Sequence, residues 1–146
     1  MSTLSIATSG LSAASLRLNV AANNIANQLT TGPLPASSGS GSSGSSTGSS
    51  NASSNFPPAY TPQQVNQTAQ ASGGTVATVS TVSPGTVAQF DPSAPYANQD
   101  GDVAAPNVDL ASQFVQLLTA KYSFAANAKV ILAYNNTTQS LLDIKA

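Results

Sequence analysis

Apolar residues near the start of the chain recur in steps that alternate between three and four. They are Leu4, Ala7, Leu11, Ala14, Leu18, Ala21 and Ile25. This spacing is typical of a coiled-coil seam, and it predicts an amphipathic helix that packs against another helix. Alanine at every second seam position lets a partner helix approach closely. Gly32 and Pro33 form a stop signal, so we expect the helix to end near Thr31.

A second helical pattern runs from residue 108 to residue 144. Its apolar face carries Leu110, Phe114, Leu117, Phe124, Ala128 and Ile131. The opposite face is polar but uncharged, with Gln113, Gln116, Thr119, Ser123, Asn127 and Thr137. Either Asn107 or Asp109 can cap the first turn by accepting hydrogen bonds from its free amides. A helix of about 36 residues measures roughly 54 Å, which is long for so small a protein.

The middle of the chain lacks helical periodicity. Of the twenty residues 36–55, fifteen are Ser or Gly, a composition typical of a flexible linker, with a recruited surface loop as the alternative. The β-branched run 75–82 predicts a strand, the SPG at 83–85 a turn, and residues 86–90 the return strand of a hairpin. Prolines and glycine in 91–106 predict an extended, turn-rich loop.

These patterns predict a mainly α protein. Two long terminal helices should pair as a coiled-coil-like hairpin, antiparallel or crossing, around an irregular middle that contains a β-hairpin and a disordered Ser/Gly-rich insertion. We divide the chain into an N-terminal helix (1–31), a middle (32–107) with its linker at 36–55, and a C-terminal helix (108–146). A two-helix unit of this size leaves apolar surface exposed and is marginally stable alone. We therefore expect neighbouring copies to cover it.

Composition argues against most chemistry. Charged residues make up 6% of the chain, against about 25% in ordinary domains. Four basic residues are too few for phosphate binding, so we expect no nucleic-acid partner. No apolar run approaches the roughly 18 residues of a membrane span, and we expect no membrane insertion. The start of the chain lacks the basic segment of a cleavable signal peptide.

Catalytic and metal-binding groups are scarce as well. Cys, His and Glu are absent, so we expect no enzyme activity, no metal and no cofactor. Asp100 and Asp102 flank Gly101, but a calcium loop needs more oxygen ligands and a bidentate Glu. We interpret this segment as a polar turn.

Three asparagines, Asn23, Asn24 and Asn27, cluster at the end of the first helix. Asparagine is a poor helix former, so the cluster needs a reason. One interpretation is helix termination, because Asn tolerates the left-handed conformation and caps the last carbonyls. The other is that the amides form hydrogen bonds across a helix contact and fix its register.

The same segment carries a family signature. SGL at 9–11, RLNVAANNIAN at 17–27 and TTG at 30–32 resemble the N-terminal signature of flagellar rod and hook axial proteins. FDPSAPYANQDGDVAAPNVD at 90–109 and AKYSFAAN at 120–127 resemble the FlgC branch of that family. The resemblance covers residues 1–32 and 83–144, and the Ser/Gly stretch matches nothing in it.

The resemblance implies a structural subunit of the proximal rod of the bacterial flagellar basal body, which crosses the periplasm and transmits torque from motor to hook. Implied partners are other copies, neighbouring rod proteins of the FlgB, FlgF, FlgG and FliE types, and the flagellar export apparatus, which needs no cleavable signal. Alternatives are a FlgB/FlgF-type or hook-like subunit, or a secreted amphipathic-helix binding protein. We predict subunit-interface residues at Leu4, Leu11, Leu18, Asn23, Asn24, Ile25, Asn27, Leu110, Phe114, Leu117, Phe124, Asn127 and Ile131.

Overall fold

The computed structural model describes residues 2–35 and 56–145. Within them the elements are, in chain order, α1 (Thr3–Asn27), β1 (Gln63–Ala69), β2 (Thr75–Thr81), β3 (Thr86–Phe90), β4 (Asp102–Pro106) and α2 (Leu110–Lys145). The prediction of a mainly helical chain, with one long helix at each end and antiparallel strands between them, is confirmed. The predicted linker at 36–55 lies outside the described residues.

The chain forms two compact units. The helical unit comprises Met1–Ala26, Gln63–Thr81 and Val108–Ala146, and so contains both helices with β1 and β2. The strand unit comprises the described residues within Asn27–Pro62 and Val82–Asn107, and contains β3 and β4.

The two helices of the helical unit run antiparallel. Asn24 on α1 donates a hydrogen bond to Gln113 on α2 at 3.0 Å. Gly10 faces Asn127, since a Cβ built on this glycine would lie 2.8 Å from the Asn127 carboxamide. The residue numbers in each pair add up to 137, so the two contacts share one antiparallel register between positions 10 and 24 of α1.

Small side chains allow this close approach. The buried residues of α1 are Ala7, Ala13, Ala14, Val20, Ala21 and Asn24, and α2 contributes the fully buried Ala120. Alanine loses no side-chain entropy on burial and keeps the two helix axes close together. The alanine half of the predicted α1 seam therefore forms the core of this unit.

The helix ends differ from the prediction in detail. α1 ends at Asn27, four residues before Thr31. The carbonyl of Asn27 accepts both the backbone amide (3.1 Å) and the hydroxyl (2.7 Å) of Thr30, which closes a turn and stops the helix before Gly32 is reached.

Of the two predicted caps of α2, the structure uses Asp109. Its carboxylate accepts the amide of Ala111 at 3.1 Å. Asn107 donates instead to the carbonyl of Pro84 at 3.0 Å.

The predicted pairing of 75–82 with 86–90 is wrong. Both segments are strands, but β2 pairs antiparallel with β1, from Gln63↔Thr81 to Ala69↔Thr75. β3 pairs antiparallel with β4, in the segment predicted to be a loop. Gly73 and Gly74 lie in the tight turn between β1 and β2, with φ of 90° and 89°. This turn lets the polar strand β1 pair with β2.

In the strand unit, Gly32 adds one more backbone pairing to β4. Its amide and carbonyl bond to Ala104 at 3.0 and 2.9 Å. A Cβ on Gly32 would lie 2.3 Å from the amide nitrogen of Ala59, so only glycine fits here. Ala104 and its neighbours Val103 and Ala105 on β4 are buried.

Aromatic residues support the same unit. The Thr31 hydroxyl bonds to the Tyr96 hydroxyl at 2.6 Å, and the Phe56 ring lies 5.3 Å from that of Tyr96. Burial raises the pKa of the Tyr60 phenol above its ordinary value.

Candidate assembly interface

Two rows of large apolar residues lie on the helix pair, and we call them the heptad rows. The α1 row is Leu4, Leu11, Leu18 and Ile25, and the α2 row is Leu110, Leu117, Phe124 and Ile131. Members of each row are seven residues apart and so share one helix face. None of the eight is fully buried, whereas Ala7, Ala14 and Ala21, which alternate with the α1 row, are.

The antiparallel register brings the two rows side by side. Phe124 is level with Ala13, two residues from Leu11, and both Leu11 and Phe124 line one groove of about 410 Å³. The remaining lining residues of this open groove are Ser12, Ser15, Leu16 and Asn19. The groove lining thus combines large apolar side chains with small hydroxyl side chains and one amide, and it contains no charged residue.

The β1–β2 hairpin covers a different side of the same helix pair. At one end the Thr75 amide donates to the Ser9 hydroxyl at 3.2 Å. At the other end Asn24 holds Gln63. A cavity of about 220 Å³ under the hairpin is lined from α1, β1, β2 and α2 by Gly10, Ala13, Ala14, Arg17, Gln67, Thr75, Ser123 and Asn127. The hairpin leaves the heptad rows uncovered.

Asn24 is the buried polar centre of the unit, with 1% of its surface exposed. Its carboxamide donates to the Gln63 carbonyl (2.7 Å) and accepts from the Gln63 amide (3.0 Å), as a neighbouring β-strand would. It also donates to the Gln113 side chain (3.0 Å). One side chain therefore joins α1, β1 and α2.

The other predicted amides have more local contacts. Asn23 is exposed and donates to the Asn19 carbonyl of its own helix at 2.8 Å. Asn27 is the last residue of α1, but no non-glycine residue of the described ranges has a positive φ, so the left-handed conformation of the helix-termination hypothesis is not adopted there. Asn127 is half-buried, donates to the Ser123 carbonyl at 2.9 Å and faces Gly10. For Asn24 the predicted cross-helix hydrogen bond is observed, and it forms within one chain.

The faces of α2 differ from the prediction. Gln113, Ser123 and Asn127, assigned to the outward polar face, lie on the side that packs against α1 and the hairpin. Phe114, assigned to the packed face, is 50% exposed. Apolar residues surround α2, so their pattern does not identify the packed face. The exposed ones include Val115, Leu118, Tyr122, Val130, Leu132, Tyr134, Leu141, Leu142 and Ile144.

Three residues of the site were not predicted. Gly10, Ser9 and Gln113 position the elements through close approach and hydrogen bonds. The sequence did indicate a role for Gly10, because a glycine inside a helix is about 1 kcal/mol less favourable than alanine and so suggests a packing requirement. Ser9 lies in the SGL signature, but neither its hydrogen bond nor that of Gln113 had a signal, since both partners are remote in sequence.

The described residues offer little beyond packing chemistry. They contain no group of three acidic, Cys or His residues that could hold a metal. The Asp100–Asp102 segment is a turn in which the Asn98 carboxamide oxygen accepts both Asp amides, at 2.9 and 2.7 Å. Neither helix, as far as it is described, is long and apolar enough to cross a membrane.

Comparison with known proteins matches both ends of the chain. Residues 4–33 match the family model of flagella basal body rod proteins. Residues 99–144 match the model of the C-terminal part of flagellar basal body rod FlgEFG proteins. The two matches contain all eight members of the heptad rows.

Whole-chain relatives agree with these matches. The flagellar basal-body rod protein FlgC of Salmonella typhimurium (strain LT2) is 33% identical over 139 residues, which is 94% of this chain and 88% of the relative. The FlgC proteins of Salmonella typhi (33%) and Yersinia enterocolitica (34%) match over the same shares.

Proposed function

The chain belongs to the flagellar basal body rod protein family, and on this premise we propose that it is a structural subunit of the proximal rod that polymerises through its terminal helices. In this role it helps to transmit torque from the motor to the hook. We place the protein in the flagellar basal body, in the part of the rod that crosses the periplasm. The work is mechanical and requires no catalytic group.

The observation that carries the proposal is the exposure of apolar side chains around α2. A helix that is apolar on all sides is normally buried. Here Phe114, Leu118 and Tyr122 lie on the side away from α1, and each is about half exposed or more. Burying one such side chain fully contributes about 1.5–3 kcal/mol. Neighbouring subunits packed around α2 would supply that burial along its whole length.

The α1 heptad row also supports packing against neighbouring subunits. Leu4, Leu11, Leu18 and Ile25 are only half-buried within one chain, and Leu11 lines the open groove. Helices of neighbouring subunits would complete the seam there, as in a coiled coil. We therefore propose Leu110, Leu117, Phe124 and Ile131 as inter-subunit contacts together with the α1 row and Phe114.

The amide residues take two roles in this proposal. Asn24 and Asn127 hold the helical unit together, so they shape the interface from within. Asn23, exposed on α1, and Asn27, at its end, can contact a neighbour directly. In the assembled rod many small contacts would share the torque, so resistance to rotation would not depend on strong ion pairs.

The scarcity of charge suits an assembled state. No charged residue occurs between Arg17 and Asp91. Burying charges costs several kcal/mol per ion, whereas Ser, Thr, Asn and Gln can exchange water for hydrogen bonds across a contact. A nearly uncharged surface also promotes association.

The proposed partners follow from the position in the rod. They are other copies, rod subunits of the FlgB, FlgF, FlgG and FliE types, and the export apparatus that delivers subunits without a cleavable signal. A FlgF-type or hook-like subunit is the second candidate, because the C-terminal match is to a FlgEFG model. The FlgC relatives, which match 94% of the chain, favour the proximal rod.

Deleting the gene and imaging isolated basal bodies tests the proposal. We expect cells without filaments whose inner basal-body rings remain, with recovery when the intact gene is returned. A tagged chain should localise to the rod segment nearest these rings. Normal swimming of the deletion strain would refute a rod function, and localisation to the hook would favour the second candidate.

A further inference from the structure

α2 extends well past the start of α1. In the antiparallel register Thr3, the first residue of α1, is level with Tyr134. Residues 135–145 of α2 therefore have no α1 beside them, and at 1.5 Å per residue this overhang measures roughly 16 Å. Every overhang residue whose side chain is described is exposed.

The side of α2 that packs against α1 continues along the overhang. Tyr134 and Leu141 lie two and four helical turns beyond Asn127, on the same face. Tyr134, at the base of the overhang, together with Thr138, Leu141 and Leu142 within it, forms what we call the overhang stripe. The exposed fractions of Tyr134, Leu141 and Leu142 are 44%, 64% and 65%. The stripe thus lies on the face of α2 that packs against α1 elsewhere, but no helix of the same chain covers it.

We propose that α1 of a second copy covers the overhang stripe, which seats in that copy's open groove. This inference rests on the proposed polymerisation and names the two surfaces that meet. Continuity with the α1–α2 contact argues for an α1 helix as the occupant. The groove suits a helix, because its lining offers the apolar Leu11, Leu16 and Phe124 together with the small side chains of Ser12 and Ser15.

The charge pattern agrees with this occupant. Residues 130–142 carry no charge, and neither does any residue that lines the groove. The contact therefore buries apolar and neutral polar atoms without desolvating an ion. Asp143, the one acidic residue of the overhang, lies off the stripe and can stay in solvent.

The contact has a polarity. The stripe and the groove are different surfaces, so each copy offers one to the neighbour ahead and the other to the neighbour behind. Heterologous contacts produce rings when the rotation between copies closes and open polymers when it does not, whereas contacts of a surface with itself produce closed dimers. Bringing Thr138 level with Ser15 of the next copy displaces the two copies by roughly 24 Å along the helix axis.

Cysteine cross-linking tests the pairing, since the natural chain contains no Cys. The test chain carries Ser15→Cys and Thr138→Cys, and the matched control carries Ser15→Cys and Thr137→Cys. Thr137 and Thr138 are both exposed and bond to their own helix at 2.8 and 2.9 Å, but they point to different sides of α2. Each chain is expressed in the deletion strain, and isolated basal bodies are oxidised.

We expect the test chain to form a series of cross-linked oligomers, at least about fivefold more than the control, because a disulfide needs Cα atoms within about 7 Å. Cross-linking of Ser15→Cys or Thr138→Cys alone would show self-contact and overturn the inference. Equal yields from both chains, or a bond to a different protein, would do the same. Incorporation without cross-linking refutes only this contact, whereas absence of the natural chain from rods refutes the proposed function.

Discussion

The carboxamide of Asn24 pairs with both backbone groups of Gln63, as an adjacent β-strand would. The Asn24 side chain accepts a hydrogen bond from the Gln63 amide at 3.0 Å and donates one to the Gln63 carbonyl at 2.7 Å. Asn24 is almost completely shielded from solvent. The first residue of β1 is thereby fixed to the last turns of α1. Because the same side chain also reaches Gln113, the position of the hairpin and the register of the helices depend on one residue.

Replacing Asn24 should destabilise the chain more than replacing its neighbour. Asn24→Ala leaves the Gln63 amide and carbonyl facing a cavity, which costs about 1–3 kcal/mol for each buried group that loses its partner. Asn24→Asp removes both donated bonds and buries a charge, so we expect at least as large a loss. Asn23→Ala, at an exposed site, should change the free energy of unfolding by clearly less.

Urea unfolding followed by circular dichroism measures these differences. Equal effects at positions 23 and 24 would contradict the assigned role. A second readout is the hydrogen exchange of the Gln63 amide, which should accelerate in Asn24→Ala only.

The contact of Gly10 with Asn127 predicts a coupled pair. Alanine at position 10 would gain about 1 kcal/mol of helix propensity, but its methyl group would meet the Asn127 carboxamide at 2.8 Å. We therefore expect Gly10→Ala to be neutral or destabilising, and stabilising once Asn127→Ala removes the clash. A double-mutant cycle by thermal unfolding should give a coupling of about 1–2 kcal/mol. Additive effects would show that the helices are farther apart than described.

A substitution at Gly32 should damage the strand unit. The Cβ of Gly32→Ala would overlap the Ala59 backbone, which cannot rotate away as a side chain can. We expect a loss of about 2 kcal/mol or more, together with faster hydrogen exchange of the Ala104 amide. Gly85→Ala is the control, because its Cβ would meet the Thr61 methyl group, a movable side-chain end. Similar losses in both variants would count against the Gly32 packing.

Phe114 separates assembly from stability. It is 50% exposed, so Phe114→Asp should change the free energy of unfolding by only about 0.5–1 kcal/mol. In cells, however, the carboxylate would have to be buried against a neighbour, and we expect incorporation into rods to fail. Thr78→Asp, on the exposed β2 strand, is the matched control that should still assemble. Swimming assays and immunoblots of isolated basal bodies give the readout, and normal incorporation of Phe114→Asp would place the interface elsewhere.

The sequence by itself determined the two helices and their half-buried rows. A strict spacing of three and four needs no tertiary information, because it follows from the helical period of 3.6 residues. Leu4, Leu11, Leu18 and Ile25 were therefore predictable, as was the Asp109 cap, one of two predicted candidates. The signature around Asn24 was sufficient to indicate the family.

Tertiary structure alone decided which strands pair and which face of α2 is inward. The polar strand β1 has no strong strand propensity; the Gly73–Gly74 turn and the bonds of Gln63 to Asn24 place it beside β2. On α2 apolar residues occur on every side, so periodicity could not select a face. Contact with α1 selected the side of Gln113, Ala120 and Asn127, because only small or amide side chains fit against Gly10 and the alanines of α1.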